Sequence, residues 1–393
     1  MRPLRVLLMG YVLLVPATIT AQPHQCRQCL KLSSIVEFKT ADAPIVPSRS
    51  QSILHMSDGR WLVSQRFTGP AQFAEYDSQG RFVAVHGETG QGPGEFSRSP
   101  QLHAGPRNSI WAIDGSRLVR LDGNLRHIET TRLEGPIGEI HGFPLGNDVL
   151  VFDSRLPNGR DSIATFAIVD SSGKVIRKMD RQPARNYVHN VVAPAASGDF
   201  WAIHSNQSLL RRYSKAGELV RSYRISIEHF QPWEGPPDRA GNEGYDVPAR
   251  PRHFAVIDVG DDLIIILTRF ADKDWKSPLL PGGGVNPSMQ DSNRQFDTQL
   301  SLIDLRNGRA MSTIRVPENL RSVHGASNLF YMTQEDEVGD VVTKVVQVNA
   351  LRASPASPLP TTRSDIEFRY AHRLTKSDVL GSTMPGNVGI QPY

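Results

Sequence analysis

The sequence predicts an all-β protein, a six-bladed β-propeller of four-stranded antiparallel blades. Three observations carry that expectation. A unit of short apolar strands broken by Gly, Asn or Asp turns recurs six times; within it, apolar residues alternate with polar ones. The composition, with 32 Gly and 28 Pro in 393 residues, favours frequent turns over long helices. Four-stranded units of roughly 40 to 50 residues, lengthened by inserted loops in the last two spacings, are the mark of propeller blades. A closed ring of this kind absorbs the whole length as one domain, where length alone would suggest two or three.

Taken in order, residues 1–21 read as an export signal. Arg2 and Arg5 form a positive start, Val6 to Val15 an apolar run, and small residues follow at Ala17 and Ala21, either of which could precede the cut. The run is shorter than the roughly 20 residues that a membrane span needs. Residues 22–44 hold the only two cysteines, Cys26 and Cys29, as CRQC. Leu30 stands where a haem attachment needs His. A zinc site would find only His24 nearby, and a thioredoxin-like pair lacks its βαβ setting. A local disulfide formed in an oxidising compartment is the reading left. Pro23, His24 and Gln25 do not make a lipobox. Ser34 to Phe38 is strand-like and is a candidate to close the ring by pairing into the last blade, hiding an edge.

The propeller is expected over 45–352. The first unit has SILHM (Ser52 to Met56), the turn Ser57-Asp58-Gly59, a strand from Trp61 to Ser64, then AEYDSQGR and the return strand Phe82 to His86. The second has QLHAG, SIWAID and RLVRLDGNL; the third EIHGF, DVLVFD and FAIVDSSGKVI; the fourth NVVAP, DFWAIH and LRRYSKAGELV. FAVID, DLIIIL and LSLIDLRNGRAM make the fifth, and SVHGA, NLFYM and VVQVNAL the last. Trp61, Trp111, Leu150, Trp201, Ile264 and Phe330 are their equivalent markers. Residues 353–393 read as a Pro/Ser/Thr-rich linker and tail.

The stretch GETGQGPGEFSRSP, Gly87 to Pro100, joins the outer strand of the first unit to the inner strand of the second. Its glycines follow a path that β-branched residues could not, and Phe96 is expected to wedge between the two blades. GQGPGEF followed by SP, IWAID and RLVRLDGN resembles the NHL-type repeat and the wider six-bladed propellers of exported bacterial families. The likeness spans about residues 45–350 and is strongest over Gly87 to Asn124. It implies a closed propeller ring and an exported protein.

Four inner strands carry His at one register, namely His55, His103, His141 and His324, with Ala193 and Ile257 in the other two units. Imidazoles converging on a channel could ligate a metal or small anion, or simply satisfy backbone groups at turns. Asp114 and Asp153 end second strands, where propeller hydrolases of similar fold bind calcium; capping of turns is the plainer role. No GxSxG elbow, HExxH pair or Walker loop occurs, so no catalytic residue can be named. A net charge of +4, with no long run of Lys or Arg, argues against nucleic acid.

Two insertions interrupt the fifth unit, Glu228 to His253 with Trp233 and Tyr245, and Ala271 to Phe296 with Trp275. Long aromatic loops in a compact domain point to function. The function expected is therefore a non-catalytic binding or scaffold protein, periplasmic or secreted. It would need no cofactor and recognise a protein, peptide or glycan of the envelope through Trp233, Tyr245 and Trp275. The alternative is a metal-dependent hydrolase or lyase at the channel mouth, with the four histidines or Asp114 and Asp153 as ligands.

Overall fold

The computed structural model describes residues 29–38, 45, 50–65, 71–133, 137–145, 149–157, 160–183, 190–234, 248, 250–276, 296–335 and 341–350. The chain divides into one unit over Met1–Arg352 and another over Ala353–Tyr393; the second, like residues 1–28, lies outside the described residues.

A lone strand comes first, β1 (Leu30–Glu37). The first blade is β2–β5 (Ser50–His55, Trp61–Gln65, Phe73–Tyr76, Phe82–His86). A two-stranded parallel ribbon follows, β6 (Glu88–Thr89) with β7 (Glu95–Phe96). The second blade is β8–β11 (Gln101–Ala104, Ile110–Asp114, Arg117–Leu121, His127–Arg132), and the third is β12–β15 (Ile137–Pro144, Val149–Pro157, Ser162–Asp170, Val175–Pro183). The fourth is β16–β19 (Asn190–Pro194, Phe200–His204, Leu209–Tyr213, Leu219–Arg224) and the fifth β20–β23 (Arg252–Gly260, Leu263–Ala271, Phe296–Asp304, Arg309–Val316). The last described strands are β24–β26 (Arg321–Ser322, Leu329–Glu335, Val341–Ala350).

Each of these five blades is a four-stranded antiparallel sheet of consecutive strands, whereas the remaining sheet is composite, in the order β1-β26-β25-β24. The expectation of six like repeats is corrected accordingly: five blades are continuous in sequence, and the last unit supplies only three strands. β1, which begins at Leu30 rather than Ser34, completes its sheet by pairing Leu30 with Ala350 through Glu37 with Lys344. The composite sheet meets the first blade where the His324 N–H donates to the Ile53 carbonyl at 2.8 Å and the His55 N–H to the His324 carbonyl at 2.9 Å.

Burial explains the strand order within a blade. β9, IWAID, is buried at every residue, because a central strand has neighbours on both sides and blades on both faces; β11 and β19, the outer strands, are mostly exposed. Apolar clusters fill the junctions between successive sheets. Leu54, Phe73 and Phe96 meet Leu102, Ile110 and Val119 between the first two blades. Phe254, Ile265 and Leu267 meet Phe330, Val346 and Leu30 between the fifth blade and the composite sheet.

The hairpins before the outer strands of the first three blades repeat one chemistry. The Asp77 carboxylate accepts from the N–H groups of Gln79 and Arg81 at 2.9 Å each, an Asx-type closure. Asp122 and Asp170 close theirs the same way. Glycine is demanded twice over at Gly308: φ is +70, and a Cβ there would sit 2.0 Å from the Arg224 carbonyl of the preceding blade. In the second blade Leu125 takes this left-handed place at φ 65 and turns an apolar side chain toward the junction.

The antiparallel order gives the ring two rims. The first carries the turns between inner and second strands and the outer hairpins. The second carries the loops between second and third strands and the crossings from blade to blade. Both long insertions leave by the second rim, one after β19 and the other between β21 and β22.

Candidate functional site

The crossing from Gly87 to Pro100 is built as a structural tie. Phe96 is fully buried in the junction of the first two blades. Its carbonyl accepts from the Gly90 N–H at 2.9 Å, and the Glu95 carboxylate takes the Gly92 N–H at 2.7 Å. The sequence singled out Asp114 as a possible ligand, but it is occupied here. It accepts from both the N–H and the hydroxyl of Ser97 at 2.7 Å, with the Arg117 guanidinium 3.5 Å away. Asp153 lies on β13, and its side chain falls outside the described residues.

Of the four inner-strand histidines, His55, His103 and His324 have described side chains. His103 and His324 meet edge to face, with ring centroids 4.5 Å apart. His55 instead packs on Trp61, centroids 4.2 Å apart. The His141 side chain falls outside the described residues. Among those described, no group of three His, Cys, Asp or Glu is placed to hold a metal ion. Burial lowers the His55 imidazole below its ordinary range, against a smaller opposite pull from Asp58. Burial, aided by His103, lowers His324 well below it. Ile257, the fifth unit's residue at this register, packs into the junction with the composite sheet instead.

Of the insertion aromatics, Trp233 anchors a stem. Its indole N–H donates to the Pro251 carbonyl at 2.9 Å, its backbone is held from both sides by Asn206, and Arg250 covers the ring at 5.4 Å. Trp275 is half-buried, its N–H on the Asp272 carbonyl at 3.1 Å. Tyr245 lies outside the described residues.

Two features escaped the sequence reading. The first is a buried polar cluster between the third and fourth blades. His204 bonds through Nε2 to the Asp180 carboxylate at 2.5 Å and through Nδ1 to Asn190, while Arg211 reaches the same carboxylate at 3.1 Å. Burial opposes ionisation of Asp180, and the His204 bond and the charges of His204 and Arg211 outweigh it, holding the carboxyl below its usual range. FWAIH aligns with IWAID, so the strand-end position is visible in the sequence, but His204 stands on a second strand, outside the inner-strand histidine register. The second is a cavity of about 330 Å³ in the central channel, walled by the inner strands β16 and β20, the segment around β24, and Phe143. Its apolar walls read in sequence as ordinary core.

No family model matches the chain, and no curated protein matches it. Among solved structures, a member of the DUF4221 family from Bacteroides vulgatus is similar at a TM-score of 0.59 and 10% identity, over 84% of this chain and 100% of that one. A protein of Bacteroides fragilis, described as an exported protein, is similar at 0.51 and 14%, over 84% and 97%. Likeness at such identity shows the fold alone, a β-propeller of four-stranded antiparallel blades.

Proposed function

We propose that the protein is an exported, non-catalytic binding or scaffold propeller that recognises a protein, peptide or glycan through its second rim. The observation that carries this reading is topological: both long insertions leave by that rim, and Trp233 pins the stem of one of them against the loop at Asn206. A rigid ring presenting irregular loops from one side is a common way to build a recognition surface. We count the composite sheet as a sixth blade of an NHL-like ring. Export rests on the signal-like residues 1–21, with which a pairing of Cys26 and Cys29 would agree; Cys29 is buried, and no described cysteine is free. No helix among the described residues is long and apolar enough to cross a membrane.

The test is a binding screen of the purified protein on peptide and glycan arrays, beside a variant whose residues 236–246 are replaced by a Gly-Ser linker. Retention of a ligand class by the native protein and its loss in the variant supports the reading. The metal-dependent alternative is favoured instead if elemental analysis finds one zinc, calcium or copper per chain, lost in His103→Ala. That alternative rests on His55, His103, His141 and His324, or on Asp114 and Asp153, the side chains of His141 and Asp153 lying outside the described residues.

A further inference from the structure

Part of the central channel is open and, among the described residues, walled mostly by apolar side chains. At its first-rim end, Val192, Ala193, Phe254, Val256 and Val323 line a cavity of about 330 Å³. No charged side chain stands among the described residues that line it; the polar ones are Ser322, Ser327 and His324. That volume is about eleven waters' worth at roughly 30 Å³ each. Water held there would meet few hydrogen-bond partners, and cavities with apolar walls favour apolar occupants. The volume lies at the lower end of small-molecule sites, and such sites are apolar with a few placed polar groups.

His324 is the placed group. Its backbone is fixed on both sides, by Ile53 and His55, and its ring is braced edge to face by His103. A braced neutral imidazole offers a donor or an acceptor to an uncharged head such as a hydroxyl, phenol or amide. It offers no countercharge to a carboxylate, and no other described residue on the wall does so. The lowering of His324 by burial keeps it in that neutral form.

We propose that this channel cavity binds a neutral small molecule of roughly ten heavy atoms, an apolar body carrying one hydrogen-bonding head that docks on His324. The site faces the rim opposite the insertions, so it stands or falls independently of the recognition surface proposed above.

The experiment titrates p-cresol, toluene and benzoate into the full protein by calorimetry and follows the histidine ring resonances by NMR. The expected result is one saturable p-cresol site with Kd under about 1 mM, toluene roughly tenfold weaker for want of the head, and benzoate not bound. The His324 resonances should shift with p-cresol. Ala193→Phe and Ala104→Phe fill the cavity from different strands, and each should abolish binding; His324→Phe should weaken p-cresol to the toluene level and leave toluene unchanged. Absence of saturable p-cresol binding with unmoved His324 resonances overturns the proposal, and this arm needs no variant to fold. So does binding that survives both filling substitutions, or benzoate binding more tightly than p-cresol.

Discussion

Asp114 and His204 hold equivalent places in the second and fourth blades, each the last residue of a second strand, and each reaches back to the chain that leaves the blade before it. Asp114 takes the N–H and hydroxyl of Ser97 on the incoming crossing; His204 donates to Asp180 on the preceding outer strand. Both are almost wholly buried. One repeat position thus serves as an interblade staple with its hydrogen-bonding sense reversed, acceptor in one blade and donor in the other. A buried polar group at such a place is retained because its partner would otherwise be left unpaired.

Asp114→Ala should therefore destabilise the fold by about 2 kcal/mol, the worth of hydrogen bonds to a charged group. Chemical denaturation measures this, and elemental analysis of the same variant should match the native protein. A change in metal content without a change in stability would return Asp114 to the role of ligand.

Phe96→Ala should cost about 3 to 5 kcal/mol, as truncation of a buried Phe does. Gly87 is bound up with it: a Cβ there would stand 2.8 Å from the Phe96 ring, on a backbone at φ +86. Gly87→Ala should destabilise by at least about 1 kcal/mol, and adding Phe96→Ala should relieve the clash while leaving the backbone strain. The double variant should accordingly lose less than the two single losses combined. Strict additivity would show that the two positions do not touch.

His253 supplies an acid-labile point. It is buried, stacked on Phe230 at 4.0 Å and bonded to Thr268 at 2.9 Å, and burial pulls it down to about 3 from 6.5, against a smaller opposite pull from the Gln207 backbone. Between those values the unfolded chain binds a proton that the folded one refuses, so stability falls as pH falls, by about 1.4 kcal/mol per unit at most. The loss begins below 6.5 and is complete near 3. From pH 7 to 5 urea unfolding should show a drop of roughly 2 kcal/mol from this residue. His55 and His324 act in the same direction. His253→Gln should flatten the slope; an unaltered slope refutes the assignment.

Asp180 acts in a more acidic window. Its folded carboxyl is held below the ordinary 3.8, so its contribution is fully present above that value and disappears as pH falls through the folded value. Asp180→Asn should destabilise at pH 7 and, by comparison with the native protein, lose less stability between pH 4 and the acid transition. Equal acid limbs for the two proteins would count against the His204–Asp180 staple.

The ring was legible where local chemistry repeats. Asp77 to Gly80 and Asp170 to Gly173 announce their hairpins, and Phe96 followed by an apolar inner strand announces a junction. What sequence could not convey was parity. The histidine register assumed that equivalent letters point the same way, yet β20 carries irregularities between His253 and Ala255 and between Asp258 and Gly260. A one-residue shift turns every side chain to the opposite face, and Ile257 accordingly packs into a junction rather than the channel. The cavity was hidden for a related reason: an apolar inner strand such as NVVAP reads the same whether it abuts a neighbour or an empty channel.

The strand that completes the composite sheet gives the last prediction. β1 contributes Leu30 to the junction with the fifth blade and Val36 to the junction with the first, and it covers the edge of β26 along seven paired positions from Leu30 to Glu37. Without it, β26 presents unpaired N–H and C=O groups and a strip of exposed apolar residues, the combination that drives edge-to-edge association. A protein beginning at residue 39 should elute as aggregates by size exclusion, or melt well below one beginning at residue 28. A peptide of residues 29–38 added in trans should raise its melting temperature in proportion to the logarithm of its concentration once it exceeds the dissociation constant, as ligand linkage requires. A truncated protein that is monomeric and melts with the longer one would show that three strands suffice for that sheet.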